Sequence, residues 1–472
     1  MLGAALAVTA CASSGSVTSS PPEAPAPGPA PSPAATEARE LIARLIRLDT
    51  TNPPGREAPA AEALAEYLSR AGIATEIIRS APGRASLLAK LEAGEPGARP
   101  LLLLSHLDTA PADPEAWPKE RPPLGGVVAD GALWGRGALG GKALAAAQAV
   151  TLARVKREGL ALERPILLVA AADGEGSGAA GIAKLLEERP EILNSEVALT
   201  EGGLALRDLL PEKRPLFAVA TSEKGFAEIE IVATGPGGSA AEAEKVTASA
   251  RLTRALERID ATRPRPRLVP AVERQLDAIG GELGFPERLR WSSSPLLRSF
   301  TIEHLLARAI TRGLVTDSIA VTRISAGSTS PVVPDRARAV LRCQLLPDAS
   351  PGQLRAQIRA AVADPDVFVT LRAAEQAATS SRSAEVLDRI FDSIRDGDPE
   401  AVIVESMSTE TTDARHLRRH GVPAYGFAPF LVSTEAHQRK RGREEHLALA
   451  ELEAGLDRLL RVVAALAAPP SR

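Results

Sequence analysis

Three short apolar runs, each ending in a cluster of polar residues, constrain this chain most. LLLL (101–104) ends at Ser105-His106-Leu107-Asp108, ILLVAAA (166–172) at Asp173-Gly174-Glu175, and EVALT (196–200) at Glu201-Gly202-Gly203. The stretches KALAAAQAVTLARVKREG and GAAGIAKLLEERP between them carry helical periodicity. Strands alternating with helices of about 10–15 residues predict βαβ units around a mainly parallel sheet. Ligands of such sheets sit beyond the carboxyl ends of the strands, so His106, Glu175 and Glu201 are expected to converge on one site.

Near residue 221 the rhythm changes. FAEIEIVATG alternates polar and apolar residues, as a half-exposed antiparallel strand does. AEAEKVTASARLTRALERI sets Leu252, Leu256 and Ile259 on one helical stripe. VTRISAG and RARAVLRCQLLP read as further strands, and SPGQLRAQIRAAVA as another helix. The fold class is therefore α/β: a large domain of residues 37–220 and 380–468, interrupted by a smaller α+β domain at 221–379. A chain of 472 residues has length enough for both.

The N-terminus reads differently. Residues 1–11 form an apolar run in which Val8-Thr9-Ala10-Cys11 resembles the lipobox of a bacterial lipoprotein signal, with Cys11 as the acylated residue. The positively charged start of such a signal is missing, and a merely apolar tail is the alternative. Residues 12–36 are rich in Pro, Ala and Ser, as a disordered tether is. The expected location is the bacterial cell envelope, with the membrane reached only through the lipid anchor, or else the periplasm or the exterior. A net charge of −3 and 3% aromatics speak against nucleic acid as a partner. Two cysteines make no disulfide scaffold, and Cys343 reads as a small buried residue.

Beyond residue 37 the chain resembles the two-zinc exopeptidase and deacylase family of aminoacylase, acetylornithine deacetylase, succinyl-diaminopimelate desuccinylase and glutamate carboxypeptidase. DTTNPPG (49–55), SHLDTAPADPEAW (105–117), DGALWGRGAL (130–139), EGG (201–203), EKGFAEIEIVATGPGG (223–238), VVPD (332–335) and TDARHLRRHGVPAYGF carry the likeness in order. The resemblance implies hydrolysis of an amide by two zinc ions sharing a bridging Asp, a general-base Glu and a lid His.

Position by position, the implied machinery is incomplete. His106 and Glu201 match zinc ligands, Asp108 matches the acid that orients His106, and Glu175 matches a third ligand. The bridging Asp is replaced by Gly140 and the general base by Gly174. The lid His is Ser239, the Asn before VVPD is Pro331, and the Arg before LLP is Gln344. The His of the closing His-Gly motif aligns with Arg441-Gly442, without a gap through Glu445. Neither zinc would keep the usual three protein ligands, so zinc is expected to be absent or substoichiometric.

His437 and His446 flank the altered motif as alternative ligands, off register by four and five residues. His416 and His420 share a chelating spacing or else one solvated helix face. Without dications Asp108, Glu175 and Glu201 would repel one another. Arg441 is expected to place its guanidinium in the vacated metal space against Glu175, the alternative being a surface arginine. The leading reading is a metallohydrolase-like protein that has lost catalysis and binds a peptide or acylated amino acid. An active zinc-dependent amide hydrolase with a rebuilt or mononuclear site is the second reading, and a homodimeric scaffold using the inserted domain is the third.

Overall fold

The computed structural model describes residues 31–92, 97–262, 264–327 and 331–467. Cys11 and the lipobox lie outside the described residues. The first helix, Pro33–Arg47, begins inside the stretch expected as tether. Ser32 caps it, its hydroxyl accepting from the Ala35 N–H at 3.2 Å. The helix then buries Ala38, Ile42, Leu45 and Ile46 on one face.

The central sheet runs in the order 74–81, 84–91, 166–171, 101–106, 197–200, 424–426, 216–223, 402–408, with 204–206 paired beside 216–223. Its middle is parallel: Leu101–His106 lies between Ile166–Ala171 and Val197–Thr200. Antiparallel pairings at 74–81 with 84–91, at 84–91 with 166–171, and at Gly426 with Ala220 make the whole sheet mixed. Every residue of Leu101–His106 and Ile166–Ala171 is buried, because helices cover both faces. One face packs on the helices Pro33–Arg47, Ala58–Arg70, Gly141–Arg157 and Leu449–Ala467. The other packs on Ile182–Glu188 and Ala414–Arg419.

The inserted domain is a four-stranded antiparallel sheet ordered 318–326, 336–345, 225–234, 367–375. Its inner face, with Ile229, Ile231, Leu341 and the fully buried Cys343, meets Leu252, Ile259 and Ile358 of two helices. The helix expected from about residue 241 starts at Ala248, where the Thr247 hydroxyl caps it.

Residues 268–315 depart from the expected partition. The helices Pro270–Glu282, Arg298–Leu306 and Ala309–Arg312, with the turn Glu287–Trp291, leave the inserted domain and cover the large sheet. Val272, Leu276 and Ile279 recur at helical spacing and pack with Trp291 and Leu305 on Leu206, Leu216, Val402 and Val404. These sheet residues would otherwise face water. We call this segment the cap.

One buried ion pair ties the carboxyl end of strand 216–223 to the helix Ala414–Arg419. Glu223 and Arg418 meet at 2.9 Å with side chains 0% and 1% exposed. Burial raises the Glu223 carboxyl above its ordinary range although Arg418 and Thr412 oppose the shift. Arg418 also donates to the carbonyls of Ala220 and Ala424, and the Thr412 N–H and hydroxyl both donate to Glu223. Removing one partner strands a buried charge. Arg418→Met is expected to cost about 3–5 kcal/mol in urea unfolding, and more than Glu223→Gln, which keeps the acceptor oxygen.

Candidate binding site at the carboxyl ends of the sheet

The three strand ends meet. His106 closes the central strand and is 2% exposed. Its Nδ1 lies 3.1 Å from Asp108 Oδ1, and its Nε2 lies 3.4 Å from Glu201 Oε2. Burial disfavours a charged ring, but Glu201 and Asp108 outweigh it and hold the imidazole pKa well above its usual value. An imidazolium therefore bridges two carboxylates. Burial would raise both of their pKa values as well, yet His106 brings each down to about 2.

Asp108 also organises the next loop. It accepts from Gly174 N at 2.8 Å, Glu175 N at 2.9 Å and Asn52 Nδ2 at 2.8 Å. Asn52, from the TTNPPG turn, reaches Asp173 Oδ1 as well, at 2.9 Å. Glu175 is thereby aimed across the site, where it meets Arg441.

Arg441 Nε lies 2.8 Å from Glu175 Oε2, and its Nη1 lies 2.8 Å from Glu410 Oε1. Lys440 Nζ approaches Glu410 Oε2 at 3.2 Å. Lys440 pulls the Glu410 carboxyl down against its burial, with Arg441 assisting. Glu410 and Arg441 keep 46% and 32% of their side chains exposed, so water screens part of this attraction. Arg441 has φ 58°, left-handed for a residue with a Cβ. Glu445 holds it there by accepting from Arg441 N at 3.2 Å. The same buried carboxylate accepts from Arg136, Gly137 and Leu139, so it fixes both loops.

The glycines show how the site is filled. A Cβ at Gly174 would stand 2.4 Å from Cβ and Cγ of His106, and one at Gly141 would stand 2.7 Å from its Nδ1. The ring thus occupies the space that a side chain at 174 needs. Gly140 is different: a Cβ there meets nothing closer than 3.8 Å. Both His106 nitrogens face carboxylates, and Glu175 is taken by a guanidinium. Among the described residues, no group of three or more His, Cys, Asp or Glu side chains is arranged to hold a metal ion. The donor set does not fit a two-zinc centre.

The other expected residues lie in varied places. Gln344 joins the site's rim, its Oε1 accepting from Thr411 Oγ1 at 2.8 Å. Ser239 and Pro331 are exposed at the short 238–239 with 332–333 pairing of the inserted domain. His446 is structural: its ring stacks on Trp134 at 4.1 Å, and Nδ1 meets the Glu444 carbonyl. His437 lines the adjoining cavity, and burial beside Lys440 lowers its pKa to about 4, which keeps it neutral. His420 directs Nδ1 to the His416 carbonyl, and among the described residues no third His, Cys, Asp or Glu joins the pair in a metal-holding group.

Sequence reasoning missed Asn52, Glu410, Asp413 and Lys440. Glu410 lies two residues past the strand Val402–Ser408, whose Glu405, Ser406 and Ser408 break the apolar run that marks the other strand ends. Asp413 is buried, and neither of its carboxylate oxygens has a hydrogen-bond partner. Burial raises its pKa to about 7.

The comparisons agree with this architecture. The sequence profile of Peptidase family M20/M25/M40 matches residues 102–465, and the chain belongs to that family. It is 28% identical over 381 residues to the N-fatty-acyl-amino acid synthase/hydrolase of Homo sapiens, covering 78% of this chain and 74% of the relative. It is 24% identical to Aminoacylase-1 of Sus scrofa, covering 91% and 95%. Human carnosine dipeptidase 1 shares the fold, with a TM-score of 0.69 at 14% identity over 92% of this chain and 97% of that one.

The two glycine positions separate in a thermal unfolding measurement. Gly174→Ser is expected to cost about 1–3 kcal/mol, because the added atoms meet the His106 ring. Gly140→Ser, at the N-cap of the helix Gly141–Arg157, is expected to stay within a few tenths of a kcal/mol of the parent or to gain slightly.

Proposed function

We infer that this family member no longer hydrolyses amides and instead binds a small acylated amino acid or peptide. The observation that carries the reading is the Arg441 guanidinium between Glu175 and Glu410, where the family's chemistry needs a dication. Zinc brings the pKa of bound water from 15.7 to about 7, and a general base adds roughly 10²–10⁴-fold. Gly140 and Gly174 supply neither the bridge nor the base. His106, with both nitrogens bound to carboxylates, has no free nitrogen to take a proton.

A cavity for a ligand remains. Leu139, Leu144, Phe427 and Phe430 line it, with Glu201, His437 and Lys440 along one side. The apolar wall suits an acyl or side-chain group, and the Lys440 ammonium suits a carboxylate. Of the proteins named above, the two matched by sequence are an N-fatty-acyl-amino acid synthase/hydrolase and an aminoacylase, and that supports an acylated amino acid over a longer peptide. Anchoring at the envelope through Cys11 belongs to the same reading. So does a homodimer through the inserted domain, whose outer strand Ser318–Ala326 exposes Val321 and Ile324.

Metal content is the discriminating measurement. After dialysis against zinc, elemental mass spectrometry is expected to find close to no zinc per chain, and N-acyl amino acids are expected to bind without being cleaved. One tightly held zinc per chain, with metal-dependent release of an amino acid, would overturn the reading in favour of an active hydrolase with a rebuilt site.

A further inference from the structure

The cap does not fill the space beneath it. Between the cap and the strands it covers lies a cavity of about 280 Å³, walled mainly by Leu209, Leu216, Ile279, Trp291, Leu314 and Met407. The cavity beside Leu139 and Phe427 measures about 80 Å³. Gly202, Gly203, Leu204, His437 and Lys440 border both, so the two spaces adjoin at the candidate site. Glu410 borders the larger one as well.

Lys440 stands where they adjoin. Its ammonium has three donors, and Glu410 Oε2 accepts one of them at 3.2 Å, which leaves donors for a ligand carboxylate. An acylated amino acid branches at the carbon that bears its carboxylate, with the side chain as one arm and the acyl group as the other. Two apolar spaces of unequal size that meet beside one ammonium match that branching. The longer arm belongs in the larger space.

One polar group interrupts the apolar wall. Gln275 lines the larger cavity and is 5% exposed, and its Oε1 has no hydrogen-bond partner among the described residues. An alkyl chain laid against it leaves that oxygen unpaired, which weakens the binding of a ligand that enters this cavity and of no other.

We propose that the cavity under the cap receives the acyl chain, that the smaller cavity receives the amino-acid side chain, and that the ligands are therefore long-chain N-acyl amino acids. This assignment rests on the binding of an acylated amino acid inferred above and adds which space the chain enters.

The test is isothermal titration calorimetry of the full chain with N-acetyl-, N-octanoyl- and N-dodecanoylleucine, each below its micelle concentration. Affinity is expected to rise with chain length, by up to about fourfold for each methylene that becomes buried. Ile310, half-buried in the cap, lines the larger cavity and not the smaller. Ile310→Trp puts an indole into that space and is expected to bring the dodecanoyl compound down to the affinity of the acetyl one. Gln275→Met keeps the volume and removes the unpaired oxygen, so it is expected to tighten the dodecanoyl compound several-fold relative to the acetyl one. Affinities in the parent that do not change with chain length overturn the proposal and leave the binding of an acylated amino acid standing. A rise with chain length that survives Ile310→Trp overturns it too, as does a Gln275→Met effect equal on both compounds. No binding of any of the three overturns the binding function itself, and the proposal with it. If Ile310→Trp does not fold, the series in the parent and in Gln275→Met decides.

Discussion

Carboxylates gathered at one end of a sheet require positive charge close by, and here the chain itself supplies it. Asp108, Glu175, Glu201 and Glu410 share a small volume. The His106 imidazolium satisfies Asp108 and Glu201, while Arg441 and Lys440 satisfy Glu175 and Glu410. Each cation is placed by another part of the fold. The sheet ends place His106, and the Glu445 hub bends the chain so that the Arg441 side chain enters the site. Without such partners the acids would have to bind protons or separate, and the loop after strand 166–171 would lose its contacts to Asp108.

The elements behind the site serve the same constraint. The Glu223–Arg418 pair holds the segment 409–413 against the end of strand 216–223, and that segment carries Glu410. Thr411 then reaches Gln344 of the inserted domain, so one stretch of five residues links the sheet, the acidic cluster and the lid. The cap closes the sheet on the side where Leu206, Leu216 and Val402 would be bare.

Much of this was legible in the sequence, for physical reasons that differ by residue. Apolar runs with polar ends locate the central strands because a buried strand must be apolar throughout and its functional groups sit where it emerges. The Arg441–Glu175 pair follows from charge: a cation aligned with a ligand position of the family is drawn to the acid across the site. Lys440 escaped notice because it stands in a run of basic residues that reads as solvated. Asn52 escaped because its role is only to donate to two carboxylates that the sequence keeps far apart. The bounds 221–379 put residues 268–315 in the inserted domain, and helical periodicity shows that a stripe is buried, not against what. Val272 and Ile279 would read the same on either domain.

The contact between His106 and Gly174 ties together two positions that the sequence keeps far apart. A side chain at 174 would begin 2.4 Å from Cβ and Cγ of His106, so it fits without strain only if His106 itself withdraws. Withdrawal breaks its bonds to Asp108 and Glu201 and leaves two buried acids without their cation. The glycine and the seated imidazole are therefore one feature, and neither position can be altered without moving the other.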